Sequence, residues 1–270
     1  MAHLQQLARR PVSITHVLGE ILLTVGVIIL LFAYYEAFWT NVKSNQLQAE
    51  ASTNLDEQWE KERVNPRAKH MPELGEAFAR MYIPAFGSDF NFAIVEGTSD
   101  ADLLAGPGRY VDSQMPGEPG NFAVAGHRVG KGAPFNDLGN LQACDAIIVE
   151  TATQWVTYRV LPIESTDGSS RSAAVQSCLT PEQSQRVAEG DYAQVSGRHI
   201  TLPGNISVID PIPGTQPPAD EAGLATLESL LTLTTCHPQF SNAERMIVHA
   251  METEVMDKSA GRPPAFEETI

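Results

Sequence analysis

Cys236 closes an apolar, β-rich run, Leu230-Leu231-Thr232-Leu233-Thr234-Thr235, and is followed by His237-Pro238. Proline cannot donate to a ladder, so the thiol belongs at a strand end beside a loop, where a substrate can reach it. Thiols do nucleophilic chemistry when a base and a positive charge stand close by. Arg245 opens the next apolar run after a short loop. If the two runs form an antiparallel hairpin, Cys236 and Arg245 are cross-strand neighbours, and strict alternation puts Arg245, Ile247 and His249 on one face. A guanidinium so placed lowers a thiol pKa and holds an oxyanion. The plain alternatives are a buried structural cysteine and a surface pair between Arg245 and Glu244, nearly neutral in energy.

A base comes from Asn121-Phe122-Ala123-Val124-Ala125-Gly126-His127-Arg128, where His127 leaves a strand of small and apolar residues. A histidine at a strand exit is placed for acid–base work, although most histidines are not catalytic. The other six are His3, His16, His70, His199, His237 and His249. Only His237 rivals His127, and neighbours at a strand end point opposite ways.

The elements that must position these groups are mostly short β segments separated by turn residues. They are Ala79–Pro84, Asn91–Val95, Asn121–Ala125, Ala146–Thr151, Trp155–Ile163, Ile206–Asp210, Leu230–Cys236 and Arg245–Ala250. About eight strands make an all-β closed barrel or a sandwich. A helical turn is expected at 99–104, capped by Ser99 or Asp100 and stopped by Gly106-Pro107-Gly108. Residues 164–205 break the rhythm with Gly168-Ser169-Ser170 and a helix-like run from Pro181 to Glu189, and are read as an insertion between strands.

Pro11 to Tyr35 contains one charged residue, Glu20, and spans roughly 37 Å as a helix, enough for a bilayer core of about 30 Å. A cleaved signal peptide would need small residues soon after the apolar core, and Ala49-Glu50-Ala51 is far downstream, so an uncleaved anchor over 11–39 is expected. Arg9 and Arg10 precede it and acidic residues follow, which places residues 1–10 in the cytoplasm and the rest outside the cell. Residues 40–76, polar and without a sustained apolar stripe, are read as a stalk. Residues 77–256 are read as the folded domain and 257–270 as a loose tail.

The chain has 18 Lys+Arg against 33 Asp+Glu, a formal charge of −15. That repels phosphate backbones and excludes nucleic acid as a natural partner. Hydrophobic residues are 43% of the chain, enough for a core. No phosphate-cradling glycine loop or dinucleotide fingerprint is present, and no cofactor is expected. No metal site is expected either; Asp137 and Glu164 are candidates only by being acidic.

With these residues in hand, a family resemblance is visible. Thr232-Leu233-Thr234-Thr235-Cys236, with Arg245 downstream, resembles the sortase signature T-L-x-T-C and its strand arginine. Ala125-Gly126-His127-Arg128, then Gly132-Ala133-Pro134-Phe135, resembles the sortase histidine motif. Gly106-Pro107-Gly108-Arg109-Tyr110 and Pro116-Gly117-Glu118-Pro119-Gly120-Asn121-Phe122 are most like class E sortases of actinobacteria, and the likeness covers about Ala79 to Met251. It implies an eight-stranded closed β-barrel with short helices behind a transmembrane helix. It also implies a transpeptidase: Cys236 forms a thioacyl enzyme with the threonine of a sorting signal, His127 moves protons and Arg245 holds the oxyanion. Tyr110, Thr234 and Thr235 are expected to bind substrate, Tyr110 favouring an L-A-x-T-G signal. The implied partners are surface proteins bearing such a signal, a peptidoglycan amine and the membrane.

The insertion at 164–205 is longer than class E leads one to expect, and Cys144 and Cys178 are atypical. A disulfide between them, closing a loop worth about 3 to 4 kcal/mol, and two separate buried thiols stand as equal expectations. Two other functions compete. A pilin-polymerising sortase generally carries an Asp-Pro aromatic lid and a second span, neither of which is seen. A catalytically silent, membrane-tethered peptide-binding module is the third reading.

Overall fold

The computed structural model describes residues 13–64, 71–163, 178–216 and 218–268. Arg9, Arg10, His3, His70, Glu164 and the cluster at 168–170 lie outside the described residues.

Helix α1, Ile14–Tyr34, starts where the Ser13 side chain accepts from the His16 N–H. It is long and apolar enough to cross a membrane, and none of it is buried. One π-helical stretch, Tyr35–Trp39, carries it into α2, Thr40–Val64.

Helix α2 corrects the expected stalk, because it lies along the barrel. Leu55 and Trp59, one helical turn apart, are buried with Ala77, Ala93 and Val95. Gln48 accepts from the Ala93 N–H and donates to the Ala105 carbonyl at 2.6 Å. Arg80 reaches Ser52 at 2.8 Å and Asp56 at 2.9 Å. Much of this docking is polar, which is why no apolar stripe marks it in the sequence.

The strands are β1 Ala77–Tyr82, β2 Asn91–Glu96, β3 Gly108–Arg109, β4 Gly120–Ala125, β5 Ala146–Glu150, β6 Gln154–Val160, β7 Arg198–Thr201, β8 Ser229–His237 and β9 Glu244–Asp257. Their order is β6-β5-β1-β2-β3-β4-β8-β9-β7, and β6 also pairs with β9. That pairing closes eight strands into a barrel. One edge of β9 takes β7 at Arg245–Val248 and then β6 from Ala250 onward, so β7 lies beside the ring. Inside, Phe122, Val124, Leu231, Leu233, Met246, Val248 and Ala250 form the core with Tyr158 and Phe135. The expected cap is present: Ser99 and Asp102 form a capping box on α3, Asp100–Ala105.

The strand expected at 206–210 is instead a 3-10 turn, Ile206–Ile209. Pro211 and Pro213 follow it and deny it a ladder. The two unforeseen strands, β3 and β7, are short and carry little periodic signal.

Cys144 and Cys178 form a disulfide, their Cα atoms 5.7 Å apart. Beyond it α4, Pro181–Glu189, begins at a Thr180 capping box. Leu179, Val187, Tyr192 and Val195 pack with Leu161, Ile212, Leu230 and Met251, so this part of the insertion forms a second core outside the barrel. The tail is not loose over its described length. Ala265 is buried with Ala146, Ile148 and Trp155, Phe266 packs edge-on to Tyr82 and Trp155, and Arg159 binds Glu268. Ala265 and Phe266 cover a patch that β5 and β6 leave bare.

Candidate active site

Strands β8 and β9 form the expected hairpin, in a register that sets Cys236 directly opposite Arg245. Because Leu231 and Leu233 enter the core, alternation turns Thr232, Thr234 and Cys236 to the outer face. On β9 the same logic turns Arg245, Ile247 and His249 outward. The thiol is half-buried and is the free cysteine among the described residues.

Strand β4 runs parallel to β8, with Ala125 alongside Thr234. The ladder continues past the strand end: the Gly126 N–H donates to the Thr234 carbonyl at 3.0 Å, and the Thr235 hydroxyl donates to the Gly126 carbonyl at 2.8 Å. The pairing of β4 with β8 ends there, and His127 follows two residues after Ala125, at the end of β4 that lies beside the Thr234–Cys236 end of β8. Gly126 must be glycine, since a Cβ there would meet the Phe135 ring at 2.5 Å.

His127 is half-buried, and its Nε2 is buried without a hydrogen-bond partner among the described residues. Burial pushes its pKa below the usual histidine value, and Lys131 pushes it the same way, against a smaller opposite pull from Asp100. The imidazole is therefore neutral at neutral pH, able to take a proton and, once charged, a good donor.

Arg245 does not make the surface pair with Glu244. Its Nη1 donates to the backbone carbonyls of Asn242 at 3.3 Å and Glu244 at 2.9 Å, and it has no ion pair among the described residues. A cation held only by backbone oxygens keeps its remaining donors for an arriving anion.

Tyr110 meets Thr234 through their hydroxyls, 2.9 Å apart. Its backbone bonds to Ala123, so it stands on the outer side of β4, in the row that ends at Cys236. Thr235 does not join this face. Alternation turns it inward, it is buried, and its hydroxyl is occupied by Gly126. Its hydroxyl fastens β4 to β8.

Sequence reasoning missed Arg128. Its Nη1 donates to His237 Nδ1 at 2.6 Å and to the Cys236 carbonyl at 3.4 Å, joining the residue after His127 to both residues at the end of β8. Guanidinium only donates, so His237 accepts at Nδ1 and carries its proton on Nε2, 4.0 Å from Glu244. This engages the rival histidine. The only clue in the sequence was Arg128's place directly after His127.

Among the described residues no cluster of three or more His, Cys, Asp or Glu side chains could hold a metal ion. Asp137 precedes the 3-10 turn at Leu138–Asn140, where its carboxylate accepts from Asn136 and Asn140. The groups at this end of the barrel suit acyl transfer: a thiol, a cation opposite it and a neutral imidazole just past the end of the neighbouring strand.

A family model described as the sortase domain matches residues 81–253. Sortase SrtE1 of Streptomyces coelicolor is 31% identical over 275 residues, covering 98% of this chain and 65% of that protein. The chain thus spans a little under two thirds of that relative's length. Sortase SrtE2 of the same organism is 26% identical, with 89% and 83% covered. Among solved structures, the SrtF sortase from Corynebacterium diphtheriae aligns at a TM-score of 0.70 and 63% identity, covering 76% of this chain and 99% of that one. Sortase E from Streptomyces avermitilis aligns at 0.51 and 31% identity, covering 72% and 99%.

Proposed function

The chain belongs to the sortase family, and from that premise we propose that it is a membrane-anchored cysteine transpeptidase. It cuts a C-terminal sorting signal of L-A-x-T-G or L-P-x-T-G type between Thr and Gly and passes the protein to a cell-wall amine. The observation that supports this reading is Cys236 set directly opposite Arg245, at the end of β8 beside which β4 ends, two residues before His127.

Cys236 Sγ attacks the threonine carbonyl carbon as neutral His127 takes the thiol proton. The carbonyl oxygen becomes an oxyanion that the free donors of Arg245 hold. The imidazolium then gives its proton to the glycine nitrogen, the C–N bond breaks and a thioester remains. An incoming amine attacks that thioester, His127 accepts a proton from it, and the thiolate leaves and is reprotonated. The lowered pKa of His127 suits both halves, because a less basic imidazole is a stronger acid once charged. Tyr110 and Thr234 line the path of the signal toward the thiol, and α1 keeps the enzyme where exported substrates are tethered.

Cys236→Ala in the full chain tests this directly. Incubated with a sorting-signal peptide and an amine, it should show no transfer and no acyl adduct by intact mass, while still binding the peptide. Transfer at the wild-type rate would end the reading.

A further inference from the structure

The turn that follows His127 has an uncommon backbone. Gly130, Lys131, Gly132 and Ala133 are successive residues with positive φ, at 63°, 51°, 77° and 39°. Two of the four carry a Cβ, and each such residue costs about 1 to 2 kcal/mol in that region. Backbone of this kind persists only where its surroundings hold it.

Two sets of contacts hold it. Within the loop, the Phe135 N–H donates to the His127 carbonyl at 3.0 Å and the Ala133 N–H to Gly130 at 2.8 Å. From outside comes the first turn of α2. Asn41 Oδ1 accepts from the Gly132 N–H at 3.0 Å. Ser44 is buried there, so close that a Cβ on residue 132 would stand 2.7 Å from its Oγ. A Cβ on residue 130 would stand 3.5 Å from Thr40 Oγ1 and 3.7 Å from the Glu36 carbonyl. The turn therefore sits at the junction where the apolar helix becomes α2.

We propose that α2 is a working part of the active site, in which Asn41, seconded by Ser44, positions the 130–133 turn and through it the imidazole of His127. Asn41 is a positioning residue and touches no substrate. The inference rests on His127 being the acid–base group of the proposed reaction. It also gives the anchor a second task, since the same helix that ties the barrel to the membrane shapes the catalytic loop.

The consequence is measurable. The charged groups acting on His127 are Lys131 in the turn itself and Asp100 at the start of α3. Arg128 is its neighbour, and Cys236 and Arg245 stand at the adjoining strand ends. If the turn relaxes, the ring gains water and Lys131 moves off. Both changes carry its titration midpoint upward, toward the ordinary 6.5.

The test uses the full chain in nanodiscs, with the wild type beside Asn41→Ala and Asn41→Asp, and His127→Gln to assign the signal. Histidine NMR titration, transfer kinetics and Tm are read on each. Asn41→Ala should raise the His127 midpoint and lower kcat roughly five-fold, the factor for one ordinary hydrogen bond, with little change in KM or Tm. Asn41→Asp keeps an acceptor oxygen and should restore kcat, while its carboxylate raises the midpoint on its own account, so the midpoint is judged on Asn41→Ala. Should Asn41→Ala fold poorly, Gly132→Ala crowds Ser44 from the loop side and should raise the midpoint too. Adding Ser44→Ala removes the crowded oxygen and should bring it partway back. A midpoint that stays put in the folded variants overturns the proposal, whatever the rate does. The titration needs no substrate, so it stays informative even if Cys236→Ala refutes the transpeptidase reading.

Discussion

At the far end of β9, Lys258 Nζ lies 2.7 Å from Glu150 Oε1 and 4.1 Å from the centre of the Trp59 ring. Arg80 sits 3.5 Å from the same carboxylate and 2.9 Å from Asp56, and the Tyr82 hydroxyl donates to it at 2.7 Å. Burial and the Glu150 bond push the tyrosine pKa up to about 12, so it stays a donor. At the start of the strand Arg245 has backbone carbonyls alone, and His127 Nε2 has no partner among the described residues. Some 40 Å of one strand separates the two arrangements. One end spends its charges on the fold, and the other withholds them. An unsatisfied cation and a buried, unbonded imidazole cost stability, and they are tolerated where an outside ligand is to complete them. Helix α2 touches both, from Asn41 at the 130–133 turn to Trp59 beside Lys258.

The contrast breaks most sharply at Arg245. Arg245→Ala should cut kcat/KM for transfer by about 10²- to 10³-fold, the usual loss on removing an oxyanion donor, and leave Tm nearly unchanged because no ion pair is lost. A large fall in Tm with modest loss of rate would mean that both ends are structural.

At the other end the pattern should invert. Arg80→Met removes one of three partners of the buried Glu150 and the contacts to Asp56 and Ser52, and should lower unfolding free energy by about 1 to 2 kcal/mol in urea titrations. The rate of acyl transfer by the folded fraction should hold. If that rate falls with stability, the two ends are coupled more tightly than the separate networks indicate.

A third measurement addresses the middle of β9. His249 is fully buried and its pKa is lowered to about 3, by burial first and by His199 second. The Thr232 hydroxyl donates to Asn121 at 2.7 Å, so it accepts from His249 Nδ1–H at 2.8 Å and fixes a neutral tautomer. The native ring stays neutral while the unfolded chain takes up a proton near pH 6.5. Stability is thus full above that pH and declines as pH falls through the window from 6.5 toward 3. The slope should be on the order of 1 kcal/mol per pH unit from this group, and His249→Gln should flatten it. An unchanged slope would place the acid lability elsewhere.

Much of the site was legible because it is local. Leu230 to Cys236 and Arg245 to Ala250 alternate cleanly and are joined by a short loop, so their pairing and the Cys236–Arg245 opposition follow from periodicity and turn length. The cap at Ser99 or Asp100 and the apolar span from Pro11 to Tyr35 were read for the same reason. The motifs around His127 and Cys236 named the family, and the domain match agrees. Failures came where periodicity and contact disagree. Residues 206–210 look like a strand but have no ladder, and β3 at Gly108–Arg109 is too short to look like anything. The tail looks loose until Ala265 and Phe266 meet a bare patch on the barrel.

The sequence by itself determined seven of the nine strands, the hairpin register and the apolar helix, since each depends on residues a few positions apart, and it singled out Cys236, His127 and Arg245 as the candidates for chemistry. Only the tertiary structure decided that Cys144 joins Cys178, that Thr235 turns to the inner face of β8, that Arg128 spans β4 and β8, and that α2 lies against the 130–133 turn. Three of those four are contacts across tens of residues of chain, and the fourth depends on which face of β8 the barrel encloses. A linear pattern fixes what a residue offers and which way it alternates, and chain closure alone fixes which distant residue receives it.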